Sequence, residues 1–201
     1  MTDTPTTDEM TIETHGRGEA LALTGTICDL YEAVFSLPPF NGNAAEFANQ
    51  RSYFPKLAER PGFRLTTARS GPEFIGFGYG YPLPADTHWW STLADPVDEE
   101  FATETGTRTF ALIDYGVLPE WRGLGVGHRI HDVLLCGSGA ERATLSVQPK
   151  AARTREIYRR WGWRKVSHKL LDPPIPAPVF EILVLEKMPG TYCSITDAGV
   201  R

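Results

Sequence analysis

Val117-Leu118-Pro119-Glu120-Trp121-Arg122-Gly123-Leu124-Gly125-Val126-Gly127 is the stretch whose reading decides the fold. An apolar run, Phe110 to Val117, leads into it, and an amphipathic run, Val126 to Leu135, leads out. The order is strand, proline-marked turn, glycine-rich loop, helix. Glycines let backbone N–H groups converge where a Cβ would obstruct. The first N–H groups of the following helix lack intrahelical partners and sit at the positive end of its dipole. Such a loop suits a pyrophosphate, and Arg122 adds a cation at its edge. Arg122, Gly123, Leu124, Gly125, Val126 and Gly127 are therefore the candidate phosphate cradle.

Two other phosphate loops fail on detail. No Lys-Ser/Thr pair follows the glycines, so this is not a Walker A loop. The loop does not belong to a first strand–helix unit, and its spacing is not that of the dinucleotide fingerprint. The full pattern, V-x-P-x-x-R-G-x-G-x-G between a strand and a helix, resembles the acyl-CoA pyrophosphate loop of the GNAT superfamily of N-acetyltransferases. A second motif follows at a suitable distance. Ala143 to Val147 is β-prone, Ala151 to Trp161 reads as a helix, and Gly162 ends it. Within this region Ile157-Tyr158-Arg159-Arg160-Trp161-Gly162-Trp163 resembles the family's aromatic-Tyr-x-x-x-Gly-aromatic ending. The resemblance is specific over Phe110 to Trp163 and topological elsewhere.

The resemblance implies direct acyl transfer from acetyl-CoA, or another short acyl-CoA, to an amine. Tyr158 would protonate the departing thiolate, a task for a weak acid aimed into the site. The alternative is a ring packed in the core. A backbone N–H of the strand before the loop, at Gly116 or Val117, would polarise the thioester carbonyl. Asp114, on the same strand, is the candidate base. Its alternative is a strand-end carboxylate paired with an arginine. His88, Glu32, Glu104, Glu181 or a water chain could also serve. The chain departs from the family at Ala151, where relatives often have Asn; Gln148, Lys150 or backbone groups could take over that support.

The rest of the chain sets bounds. Its 201 residues suit one domain, with 41% hydrophobic and 22% charged residues. We expect a loose tail over 1–10, a single GNAT acyltransferase domain over 11–188, and a loose tail over 189–201. No run approaches a membrane span, and Met1 to Met10 lacks a basic, apolar signal region, so neither membrane attachment nor export is expected. Cys28, Cys136 and Cys193 show no metal-like spacing. Cys28 and Cys136, on expected helices, are most simply buried thiols, which fits a reducing cytoplasm. No metal is expected from the five histidines either. The net charge of −5 argues against a nucleic-acid partner and fits a cationic acceptor. A homodimer is compatible with all of this.

Along the chain we expect a strand from Thr11 to His15, then a helix from Ala20 to Phe35. A second helix runs from Ala44 to Arg51 and is broken or restarted at Pro55. A hairpin pairs Phe63–Ala68 with Phe74–Tyr81. Gly76, Gly78 and Gly80 would line one of its faces, to let a helix approach closely. Pro82 to Gly106 is a long insertion holding His88-Trp89-Trp90 and an acidic run. After the two motif helices come a strand from Trp163 to Leu171, a proline-rich connection over Asp172–Pro178 and a closing strand from Phe180 to Glu186. The fold class is α/β: a mixed, twisted sheet of six or seven strands with helices on both faces. Tyr53, Phe54, His88, Trp89 and Trp90 are the candidate acceptor pocket, although the two tryptophans could equally seal the core. The expected reaction is transfer to a small-molecule amine. The rivals are a non-catalytic CoA-binding sensor or structural module, a protein or peptide N-acetyltransferase, and a nucleotide-binding α/β protein.

Overall fold

The computed structural model describes residues 10–170 and 179–190. In chain order the elements are β1 (Met10–His15), α1 (Arg17–Ala22), α2 (Thr24–Phe35), α3 (Ala44–Ala58), β2 (Arg64–Ser70), β3 (Glu73–Pro82), α4 (Glu99–Ala102), β4 (Thr109–Val117), α5 (Val126–Cys136), β5 (Arg142–Val147), α6 (Ala152–Arg160), β6 (Arg164–Leu170) and β7 (Val179–Leu185). The strands form a mixed sheet of seven in the order β1-β2-β3-β4-β5-β7-β6. β4 and β5 run parallel; the pairs β1–β2, β2–β3, β5–β7 and β6–β7 are antiparallel. This is the expected sheet. The expected terminal tails and the Pro-rich connection lie wholly or largely outside the described residues.

The described residues fall into two compact units, 10–81 with 114–138 and 189–190, and 82–113 with 139–170 and 179–188. β4 contributes its first half to the second unit and its last four residues to the first.

In the first unit, period-two alternation sorts β3 into two faces. Phe77 and Tyr79 point to the side of α2 and α3, where Phe54 meets Tyr79 at 5.1 Å between ring centroids. Gly76 and Gly78 point to α5. A Cβ on Gly76 would stand 2.9 Å from Ile130 Cδ1, and one on Gly78 would stand 3.1 Å from Ile130 Cγ2. The glycine row thus serves helix packing, as expected. Val117, Trp121, Val126 and Ile130 join Met10, Ala68 and Ile75 in one buried cluster.

Two helix boundaries differ from expectation. The first helix is two, α1 and α2, parted at Leu23, where the Thr24 hydroxyl donates to Leu21 O at 2.7 Å. That local bond offers the backbone an alternative to the helical ladder. Pro55, conversely, does not break α3. Phe54, Leu57 and Ala58 are buried around it, so packing outweighs the missing N–H. At its start, Asn43 and Glu46 form a reciprocal capping box.

In the second unit, the insertion after β3 is tied down by a buried charge pair. Arg142 reaches Glu104 at 3.0 Å. The same Glu104 Oε1 also accepts from the Trp90 indole at 2.9 Å and the Thr109 hydroxyl at 2.6 Å. The Arg142 guanidinium lies over the rings of Phe101 and Trp90. Cys136 is disulfide-bonded and half-buried, which corrects the expectation of a buried thiol and removes its support for a reducing compartment. Cys28 is a buried free thiol. Among the described residues no helix is long and apolar enough to cross a membrane.

Candidate active site

The glycine loop is held from behind. Leu118 N–H donates to Ile75 O at 3.0 Å, and Trp121 is buried beneath the turn Pro119–Trp121. Arg122 Nε donates to Val117 O at 2.9 Å, which ties the loop to the end of β4 and leaves the rest of an exposed guanidinium at its edge. Gly123 and Gly125 have φ of 83° and 80°, left-handed values that disfavour a side chain. Among the described residues a Cβ on either would meet nothing within 4 Å. Gly125 is the N-cap of α5; no side chain caps the helix, and its first turn holds no acid. Among the described residues no side chain caps these first N–H groups, and Leu124 is exposed beside them. These donors fit the pyrophosphate of acetyl-CoA.

Gly127 has a different reason for being glycine. A Cβ there would fall 2.0 Å from the Tyr115 hydroxyl. Gly116 behaves similarly: a Cβ would stand 2.9 Å from Val34 Cγ1 of α2. Both let neighbouring elements close on β4.

Asp114 and Gly116, two apart on β4, point to the same face. Asp114 is half-buried, and desolvation of its carboxyl pushes its pKa up from 3.8 to about 6. The hydroxyl of Tyr79 donates to Asp114 Oδ2. Tyr79 in turn accepts a hydrogen bond of 2.5 Å from Gln50 Nε2 of α3. Among the described residues no arginine pairs with Asp114, in contrast to a strand-end ion pair. Tyr31 of α2 lies within electrostatic range; burial first, then the carboxylates of Asp114 and Glu46, push its phenol well up.

The other candidate bases are engaged or solvated. Glu104 is locked to Arg142. Glu181 takes two bonds from Arg155, at 2.6 and 2.8 Å, and one from Lys165 at 3.1 Å. Glu32 is exposed on α2, 3.4 Å from Arg51, and His88 is exposed.

Tyr158 is buried on α6, with Trp163 at 5.7 Å and Trp161 at 6.0 Å in edge-on contact. The helix ends as its glycine predicts. Gly162 has φ of 89°, and Trp163 N–H returns to Tyr158 O at 3.1 Å. At the other end Ala151 caps α6 without a side-chain bond, and Gln148 O accepts its N–H at 2.9 Å.

The expected acceptor residues divide. Tyr53 and His88 are exposed, and Trp89 is half-buried. Trp89 donates to Thr144 Oγ1 at 3.1 Å and carries Lys169 Nζ over its ring at 4.9 Å. Phe54 and Trp90 are instead core residues, which corrects their assignment to a pocket wall. Phe54 is enclosed by Phe63 and Tyr79, and Trp90 is committed to Glu104. The sequence reading also missed Gln50, Tyr79 and Tyr31. A signal existed for Gln50: it shares the helical face of Phe47, Phe54 and Leu57, and a polar group on a buried stripe requires a partner.

A comparison with curated protein sequences gives no match. Solved structures share the fold. A protein of Pyrococcus horikoshii OT3 superposes with a TM-score of 0.61 at 17% identity, covering 89% of this chain and 99% of its own. A GNAT family acetyltransferase from Elizabethkingia anophelis with acetyl-CoA bound gives 0.56 at 17%, covering 90% and 99%. The ribosomal-protein-S18-alanine N-acetyltransferase of Escherichia coli gives 0.57 at 12%, covering 91% and 97%. The sequence profile of the Acetyltransferase (GNAT) family matches residues 27–163, a span that holds both the glycine loop and Tyr158, and the chain belongs to that family.

Proposed function

We propose that this acetyltransferase moves an acetyl group from acetyl-CoA directly to the amine of a small, cationic molecule. The observation that carries the reading is the uncapped start of α5 behind two left-handed glycines that face open space. In this reading Arg122, Gly123, Leu124, Gly125, Val126 and Gly127 hold the pyrophosphate. Gly116 and Val117 present backbone to the thioester. Bound acetyl-CoA supplies an electrophilic carbonyl with a thiolate leaving group.

The amine nitrogen attacks that carbonyl, the C–S bond breaks, and two protons must be managed. Asp114 takes the proton from the amine; a pKa of about 6 leaves it ionised yet still basic near neutral pH. Tyr158 gives a proton to the thiolate. Tyr53, His88 and Trp89 are the accessible aromatic groups for the acceptor, and a net charge of −5 favours a cation. The test is thiol release from acetyl-CoA with a panel of polyamines, aromatic amines and peptide N-termini. Turnover with small amines and none with peptides is the expected result. The reverse pattern would assign the chain to protein acetylation, and CoA binding without turnover would make it a sensor.

A further inference from the structure

Asp114 is more than a half-buried carboxyl on β4. It ends a chain of hydrogen bonds whose direction is fixed. Gln50 is buried on α3, and its Nε2 donates to the Tyr79 hydroxyl oxygen. A phenol has one proton, and with its oxygen already accepting, that proton goes to Asp114 Oδ2. The Tyr79 ring cannot swing away. It is fully buried, with Phe54 at 5.1 Å and Phe63 and Phe77 each at 5.9 Å.

From this geometry we propose that Gln50 and Tyr79 are positioning residues: they occupy Asp114 Oδ2, orient the carboxylate, and leave Oδ1 as the atom that receives the proton of the attacking amine. The proposal rests on the reading of Asp114 as the base. Three residues act through one carboxyl, from α3, β3 and β4. The other titratable groups on this face are Tyr31 from α2, whose raised phenol stays neutral, and Glu46 from α3, which acts on Tyr31.

The bond from Tyr79 also has an electrostatic consequence. It is made to the ionised form of Asp114 and holds the carboxyl's proton affinity below the value that burial alone would set. Removing the hydroxyl therefore makes the carboxylate more basic. The same hydroxyl loss in a purely structural role would lower stability and leave the titration of Asp114 where it was.

The test uses the full chain as wild type, Tyr79→Phe and Gln50→Leu, with folding checked by circular dichroism. One readout is the pH profile of kcat/KM; the other is the titration of the Asp114 carboxyl by carbon NMR. Tyr79→Phe is expected to move both to higher pH by about one unit. On the acid limb this is roughly a tenfold loss of rate, largely recovered at high pH. Gln50→Leu should move both in the same direction by less, because Tyr79 keeps its hydroxyl but loses the bond that orients it. Unmoved titration in both variants would overturn the proposal. A shifted titration in a chain that acetylates no amine would support the positioning of Asp114 and refute the catalytic reading instead.

Discussion

Replacing Asp114 with asparagine is expected to remove most of the activity and, above neutral pH, to stabilise the fold. The carboxyl ionises at 3.8 ordinarily and at about 6 in the folded chain, because burial disfavours its charge. The difference is roughly two units, and at 1.36 kcal/mol per unit this is about 3 kcal/mol. The sign follows from proton binding. The folded state keeps this proton to a higher pH than the unfolded chain. The favourable contribution is therefore complete below pH 3.8 and is lost as pH rises through about 6. A carboxamide has nothing to ionise, and its oxygen still accepts from Tyr79. The stability of Asp114→Asn relative to wild type should thus increase by about 3 kcal/mol between pH 3.5 and pH 8. Urea unfolding of both proteins across that range measures it, and taking the difference cancels the carboxylates they share. A difference that does not change with pH would refute the argument, because Asp114 would then ionise alike in both states.

Three further outcomes are expected. Gly125→Asp forces a side chain onto a φ of 80° and puts a carboxylate where the phosphates would sit, so acetyl-CoA affinity should fall by at least about tenfold in calorimetric titration while the fold persists. Tyr158→Phe should lower kcat by about 10²-fold with little change in CoA affinity; an unchanged kcat would return Tyr158 to pure packing between Trp161 and Trp163. Arg142→Met strips Glu104 of its buried counter-charge and should cost about 3–5 kcal/mol in thermal or urea unfolding, whereas the same change at a solvated pair such as Arg51 with Asp29 should be nearly silent.

The elements legible from sequence are those whose signal is local. The glycine loop, the α5 stripe, the hairpin and the Gly162 stop each follow from a few adjacent residues. The errors lie where a distant group decides. Pro55 looks like a breaker until Phe54 and Leu57 are seen buried on either side of it. Trp90 looks like a pocket wall because its partners, Glu104 and Arg142, lie 14 and 52 positions away. The catalytic candidate shows the same division. Asp114 is visible as an acid on the strand before the loop, but Tyr79 and Gln50 join it across 35 and 64 positions. Nothing in periodicity or composition links them.

The bare face of β3 also sets the height of the glycine loop. Ile130 sits one turn beyond Val126, and its Cδ1 rests against Gly76 with no room for another carbon. The loop is in effect cantilevered from that contact, its free end carried by the first turn of α5. Tolerance at Gly76 and Gly78 is therefore tolerance in the placement of N–H groups that those residues never touch. A methyl group added at Gly76, which would also stand 3.1 Å from Gly116 O, would tilt the support on one side and press on β4 on the other. If the loop holds acetyl-CoA as proposed, the affinity is partly a property of a strand in the middle of the sheet, where a search for binding residues would not look.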